Sequence, residues 1–354
     1  MKPVIHVVTT LNRGGAENQL LTLAKEQVNA GRKVKVMALK GKNELEENFV
    51  KCGVEVDNLL LNRNPVIQIF YLSKIVLQSQ DIFHAHLPRA ELFVALSPLH
   101  KRRFVASRHN AEPFFPKAPK SLSILLSRFV NRRAKEIIAI SNAVKNYLIE
   151  SSEIPSTRNI SVVHYGINND LAVYKKSFPL GTSPTFGTIA RLVPQKDIPT
   201  LLHAFSIFLK DKPASNLLVV GEGYLASELI NLCEELKIVD NVEWAGKTNN
   251  IPAALNRMDL FLLTSKYEGF GLVLLEAMQN GVPVIAANNS AIPEVVGMTS
   301  GNLFKTGDAI QLAKLMNEFT VESNWLKLQN DGFKRLELFD SEPMMLKINR
   351  VYAQ

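Results

Sequence analysis

The sequence predicts an α/β protein of two Rossmann-like lobes, each a doubly wound parallel sheet, facing a central cleft. Three observations carry this. At 354 residues the chain is too long for one small core, so two domains are the default. Short apolar runs of strand character alternate with segments of helical periodicity. One aperiodic stretch, through Phe178-Pro179-Leu180-Gly181-Thr182-Ser183-Pro184, interrupts that alternation. It sets a first lobe at 1–168, a linker at 169–184 and a second lobe at 185–340, and a last helix from about Ser341 to Tyr352 occupies 341–354.

In the first lobe, strands are expected at Val4–Val8, Lys33–Leu39, Val54–Leu60, Ile82–His86, Phe104–Ser107, Ile137–Ile140 and Ile160–Val163. Helical segments such as Glu17–Ala30 and Val66–Gln78 lie between them. Continuous short hydrophobic runs suit parallel strands covered on both faces. Gly14 and Gly15 follow the first strand and open the first helix. Glycines there let the backbone approach a phosphate, and a helix N-terminus favours negative charge. The dinucleotide fingerprint needs a third, correctly spaced glycine, which is missing, so an oxidoreductase loses its main support. His86 ends the fourth strand and His109 follows the fifth; both are expected to touch a sugar. His84 and His86 are taken to point to opposite faces of their strand and so not to share a metal.

In the second lobe, strands are expected at Thr185–Ile189, Leu217–Val220, Val242–Trp244, Asp259–Leu263 and Val284–Ala286. Arg191 and Lys196 sit in the loop before a helix at Ile198–Leu209, a fork-shaped guanidinium and a point-charge ammonium suited to a diphosphate. Gly221 and Gly223 line the next strand end and suit packing as readily as ligand contact. The Gly246–Ile251 loop, with Asn250, is placed to offer backbone groups to a nucleobase. The most informative stretch runs from Tyr267 to Met278. An apolar run ending at Ser265 reads as a buried strand, and the Gly269-Phe270-Gly271 turn opens an apolar helix that ends before Gly281 and Pro283. Glu268 then lies in the strand-to-helix loop and Glu276 two turns into the helix, at the sheet edge where open α/β folds bind ligands. Two acceptor-only carboxylates, with the bare amides of Gly269 to Leu272 between them, suit a ligand hydroxylated at both ends and anionic in the middle. A nucleotide sugar has that shape.

Hydrophobic residues at 46% and charged ones at 21% describe an ordinary globular chain. No stretch approaches the ~20 apolar residues that span a bilayer. The first residues turn polar too soon for a signal peptide, and Cys52 and Cys233 are the only cysteines, so a reducing cytoplasm is expected. The formal charge of +8 divides into +10 over residues 1–170 and −2 over the rest. A basic first half suggests an anionic partner: nucleic acid, an acidic glycan or an anionic membrane face. The lack of an aromatic-plus-basic stripe argues against nucleic acid. Lys117 to Arg133 suits either a lipid surface or a core-facing helix with a solvated basic face. No Asp-x-Asp and no Cys/His cluster of zinc spacing occurs, so no bound metal is expected.

Taken in order, Gly14-Gly15-Ala16-Glu17, the strand ends at His86 and His109, Arg191 with Lys196, Gly221-Glu222-Gly223, Glu268 to Glu276, and Gly281-Val282-Pro283-Val284 with Pro293-Glu294-Val295-Val296 resemble glycosyltransferase family 4 over nearly the whole chain. The resemblance implies the two-lobed GT-B fold, with the donor held mainly by the second lobe, the acceptor by the first, and the final helix crossing back to the first. It implies that Arg191 and Lys196 hold the donor diphosphate, Glu268 the donor sugar and Glu276 the ribose. Gly15 and the amides of Gly269, Phe270, Gly271 and Leu272 would line sugar and phosphates. It further implies a retaining enzyme without a tightly bound metal. The donor would be a UDP- or GDP-sugar and the acceptor lipid-linked or polysaccharide, with a small soluble acceptor, or a nucleotide-sugar-binding protein without catalysis, as the alternatives. A peripheral place on the inner membrane face and a monomer or homodimer complete the expectation.

Overall fold

The computed structural model describes residues 1–155, 158, 160–167, 176–178, 183–298 and 301–353. Most of the expected linker, 169–184, lies outside the described residues. The chain forms two compact units, Met1–Asn168 with Phe339–Gln354, and Asn169–Leu338.

The first unit is a seven-stranded sheet of β1 (Val4–Val8), β2 (Val34–Ala38), β3 (Glu55–Asp57), β4 (Ile82–His86), β5 (Phe104–Arg108), β6 (Glu136–Ala139) and β7 (Ile160–Val162). Its order is β3-β2-β1-β4-β5-β6-β7, every pair parallel. Helices α1 (Gly15–Asn29), α2 (Glu46–Lys51), α3 (Pro65–Gln78), α4 (Pro88–Leu96), α5 (Lys120–Arg133) and α6 (Asn142–Glu150) connect the strands. All five side chains of β1 are buried, as a central parallel strand requires. The run Val54–Leu60 yields only a three-residue strand, because the Leu59 amide donates to the Asp57 carboxylate at 2.8 Å and turns the chain. Strand order reverses between β1 and β4, which places the ends of those two strands at a topological switch point.

The second unit has six parallel strands, β8 (Thr185–Ile189), β9 (Asn216–Val220), β10 (Val242–Gly246), β11 (Leu260–Leu263), β12 (Val284–Ala287) and β13 (Leu303–Phe304), in the order β10-β9-β8-β11-β12-β13. The edge strand β13 was not expected; two residues are too few for a periodic signal. Helices α7 (Ile198–Phe208), α8 (Ala226–Glu235), α9 (Ile251–Asn256), α10 (Leu272–Gln279), α11 (Ile292–Val296), α12 (Ala309–Glu318) and α13 (Glu322–Leu336) cover it. Phe186 of β8 packs edge-on to Phe208 of α7, ring centroids 4.8 Å apart. The buried Trp325 of α13 donates its indole N–H to the Asp259 carbonyl at 2.8 Å. Here the switch point lies between β8 and β11.

The last helix, α14 (Ser341–Ala353), belongs to the first unit, where Met344, Met345, Ile348, Val351 and Tyr352 join the core formed by β1, β2 and α1. Two parallel Rossmann-like sheets are thus present, as the alternation of apolar runs predicts.

Candidate active site

At the β8/β11 switch point, the loops that leave the two strands are bonded into one platform. The Lys266 amide donates to the Gln195 carbonyl at 2.8 Å, Gln195 returns a bond to the Tyr267 carbonyl at 2.9 Å, and the Thr264 hydroxyl donates to the Lys196 carbonyl at 2.8 Å. On this platform Lys196 Nζ lies 2.5 Å from Glu268 Oε1, and both side chains are largely buried. The Ser265 hydroxyl donates to the same oxygen at 2.6 Å, while the Glu268 amide donates to the Ser290 hydroxyl at 2.8 Å. The other carboxylate oxygen, Oε2, has no partner among the described residues. Sequence reasoning assigned Lys196 and Glu268 to separate parts of the ligand; the structure joins them as an ion pair. Arg191 stays exposed, held only by a 3.3 Å bond to Gln195 Oε1.

Gly271, in the left-handed conformation at φ +94, starts α10. The first amides of any helix have no intrahelical acceptor, so those of Leu272 and Val273 open a positive end beside Glu268. Phe270 is buried, so its side chain belongs to the core of the second unit. Glu276 is the fifth residue of α10, a little over one turn in rather than two. Its carboxylate has no hydrogen bond or ion pair among the described residues, and burial pushes its pKa up to about 7.

Gly221 and Gly223 shape the platform through packing. A Cβ on Gly221 (φ +138) would lie 1.9 Å from the Ala190 carbonyl oxygen, and one on Gly223 would lie 2.2 Å from that of Leu192. The Ala190 and Leu192 amides donate to the Val220 and Glu222 carbonyls at 2.9 Å each, so the Arg191 loop rests directly on the two glycines. Asn250 caps α9, its side chain accepting from the Ala253 amide at 3.1 Å.

In the first unit, Gly14 caps α1 and Gly15 is its first residue. Glu17 Oε2 fills the space where a Cβ on Gly14 would sit, and Glu17 Oε1 accepts from Thr10 at 2.6 Å. His86 and His109 are buried in a relay rather than open at a strand end. Because Gln27 Oε1 accepts from His6 Nε2 at 2.7 Å, the remaining donors follow in one direction. His86 Nε2 donates to His6 Nδ1 at 2.9 Å, His109 Nε2 donates to His86 Nδ1 at 3.1 Å, and the Tyr165 hydroxyl donates to His109 Nδ1. Neither His86 nor His109 has a ring nitrogen left for a sugar hydroxyl. The cavity they border measures about 30 Å³, room for a water molecule. Burial depresses all of these imidazoles, His6 to about 4, His109 to about 3, and His84 and His86 well below the usual range.

The placement of His84 and His86 on opposite faces is corrected. Residues i and i+2 of a strand share a face, and their rings stand 4.2 Å apart. With His6, paired to His84 in register, they bring three ligand nitrogens within 4.8 Å of one another. All six ring nitrogens of this trio are already bonded, to one another and to Gln27, Ser107, Tyr352 and His109. A metal would have to displace those bonds.

Sequence reasoning missed Ser265, Ser290, Gln195 and His6. Ser265 and Ser290 lie in polar segments just after β11 and β12, a position that could have flagged them; Gln195 follows the apolar Leu192-Val193-Pro194 beyond β8, and His6 carried no signal without the β1–β4 register.

The geometry is that of two Rossmann-like parallel sheets, each with a topological switch point. A Glycosyltransferase Family 4 profile matches residues 13–171 and a Glycosyl transferases group 1 profile matches residues 173–331. The chain belongs to this family, with the GT-B fold, and is a glycosyltransferase that uses a nucleotide-sugar donor. It is 27% identical over 328 residues to N-acetyl-alpha-D-glucosaminyl L-malate synthase of Bacillus anthracis, covering 88% of this chain and 85% of that one. It is also 27% identical over 253 residues to a GDP-mannose-dependent alpha-(1-6)-phosphatidylinositol monomannoside mannosyltransferase of Mycobacterium tuberculosis, covering 66% of this chain and 63% of the relative. The fold matches that of Anabaena HepE, solved in complex with UDP and glucose, with TM-score 0.82, 22% identity and 100% of both chains covered.

Proposed function

We propose that this enzyme moves a sugar, with retention of configuration, from a UDP- or GDP-sugar to a lipid-linked or polysaccharide acceptor in the assembly of a cell-surface glycan. The observation that carries the donor assignment is the Lys196–Glu268 pair at the β8/β11 switch point, beside the start of α10 and the unpartnered Glu276. Glu268 Oε2 accepts a hydroxyl of the donor sugar, while Oε1 stays engaged with Lys196 and Ser265. Arg191, Lys196 and the first amides of α10 hold the diphosphate, and Glu276 takes the ribose hydroxyls. A carboxyl with a pKa of about 7 is ready to serve as a neutral donor or a charged acceptor for such a group. In the transfer, the acceptor oxygen bonds to the anomeric carbon on the face the diphosphate leaves. The anomeric C–O bond breaks with its electron pair going to the phosphate oxygen, and the acceptor proton passes to that phosphate. The clamp of Arg191 and Lys196 stabilises the charge that develops.

HepE with UDP-glucose and the GDP-mannose-dependent mannosyltransferase support the choice of donors. The mannosyltransferase, with a lipopolysaccharide core mannosyltransferase of Rhizobium meliloti and the capsular glycosyltransferase CapM of Staphylococcus aureus, supports a glycan or glycolipid acceptor. The basic first unit suits an anionic acceptor or the membrane that bears it. A second reading, a small soluble acceptor, is favoured by the likeness to the L-malate synthase. No helix among the described residues is long and apolar enough to cross a membrane.

The test is a thermal-shift screen against UDP-, GDP-, ADP- and CMP-sugars, followed by transfer from the responding donor to lipid-linked and soluble acceptors. A donor at a hundred times its Kd stabilises by about 2.7 kcal/mol. No response to any nucleotide sugar overturns the donor assignment; transfer to malate-like acids alone establishes the second reading.

A further inference from the structure

We infer that the outer face of α3, with the exposed apolar and basic side chains of α5 in the same helical layer, is a docking surface for an anionic bilayer. The inference deepens the lipid-linked reading and rests on it. Helix α3 is anchored by its inner face: Gln68, Leu72 and Val76 are buried, and Gln68 donates to the Leu39 and Leu60 carbonyls at 2.6 Å each. Its outer face is the reverse of what a soluble helix shows. Val66, Phe70 and Leu77 are 75%, 66% and 71% exposed. They are spaced four and then seven residues apart, so they form one stripe along three turns. An exposed apolar stripe of this kind marks an interaction surface.

Charge identifies the occupant. The stripe is flanked by the exposed cations Arg63 and Lys74, and α3 contains no acid. Helix α3 packs on α4, and α4 on α5, so the three form one layer. Across them the single acid is Glu91, which is fully buried against Arg108 at 2.6 Å. On α5, Leu125 is 63% exposed and lies one turn before the exposed Arg128. A layer that shows water apolar side chains and cations but no acid matches lipid tails beneath anionic headgroups. A second copy of this face would bring cation against cation. At 14 residues α3 is too short to span a bilayer and lies in its surface. The sequence left Lys117 to Arg133 open between a lipid surface and a core-facing helix; the structure gives α3 the larger exposed apolar stripe.

The test is flotation of the full chain with phosphatidylcholine vesicles, with and without phosphatidylglycerol, at low and high salt. Donor-induced thermal shift and light scattering are measured on the same samples. The intact chain is expected to float with the anionic vesicles and to be released by salt. F70D/L77D should weaken binding roughly a hundredfold and K74E roughly tenfold, with the donor shift unchanged in both because these positions are on the surface of the other unit. Equal flotation of F70D/L77D and the intact chain overturns the inference, as does failure of the intact chain to bind anionic vesicles at low salt. Conversion of a dimer to a monomer by F70D/L77D assigns the face to a second copy instead and equally overturns it. If donor binding persists without flotation, only this inference falls; if no nucleotide sugar binds, the functional reading falls whatever the vesicles show.

Discussion

Lys196 and Glu268 hold each other before any ligand arrives, and this shapes what their loss does. The ammonium lies within a short ion pair that is mostly removed from water, so its position is fixed in advance, as the proposed diphosphate role requires. Lys196→Ala removes a charge-assisted contact and leaves Glu268 with only Ser265. Turnover should fall about tenfold to a hundredfold, at about 1.4 kcal/mol per decade; steady-state kinetics with the responding donor measures this, and unchanged turnover contradicts it. Glu276 behaves differently because it has no counter-charge. Its folded pKa of about 7 lies above the usual 4.5, so between those values the folded state binds more protons than the unfolded one. Stability contributed by the neutral form is therefore full below pH 4.5 and lost as pH rises through 7, about 3 kcal/mol in all. Glu276→Gln should raise the melting temperature at pH 8, leave it unchanged at pH 4, and weaken donor binding. Equal shifts at both pH values contradict the assignment.

At the scale of elements, the strands and helices that frame the site were legible because a parallel strand buried on both faces leaves a continuous apolar run, as Leu260–Leu263 and Val284–Ala287 do. The turn at Gly269 to Gly271 was legible for the same kind of local reason. What sequence could not show was contact between elements. The Lys196–Glu268 pair joins residues 72 apart, and the histidine relay depends on the register that sets His6 beside His84. His84 and His86 were misread by a simpler error, since alternate residues share a face. Gly221 and Gly223 looked equally suited to ligand and to packing; the closeness of Ala190 and Leu192 shows the packing role. Gly221→Ala must push the Arg191 loop off β9, at a cost of about 3 kcal/mol, and should weaken donor binding. Gly246→Ala, also at positive φ but with nothing within 4 Å of its Cβ, should cost only about 1 kcal/mol. Equal losses in the two variants, measured by denaturant unfolding, contradict the loop-support role.

For the whole molecule, the buried groups of the first unit pull against one another in acid, because burial lowers its core imidazoles and raises the Glu91 carboxyl to about 7. His6, His84, His86 and His109 are depressed by burial, so at these sites the unfolded chain binds more protons as pH falls from 6.5 towards 4. The histidine contribution is complete above pH 6.5 and is lost below it, with His6 alone giving about 3 kcal/mol, while the Glu91 contribution is full below pH 4.5 and is lost as pH rises through 7. Glu276 places the second unit's loss on the alkaline side of pH 4.5. In calorimetry from pH 4.5 to 8, His6→Asn should flatten the acid-side fall of the first unit's transition; a pH profile that the substitution leaves unchanged contradicts the buried-histidine account. The division of charge follows the same partition, with the cations concentrated in the unit that carries α3.

The central claim is that the donor is held at the carboxyl ends of β8 and β11. A crystal structure with the nucleotide sugar that gives the largest thermal shift tests it most directly. The account predicts the diphosphate against Arg191, Lys196 and the first amides of α10, with Glu276 on the ribose and Glu268 Oε2 on the sugar. A nucleotide bound elsewhere, with Lys196 still closed on Glu268 and no ligand contact to either, would contradict it.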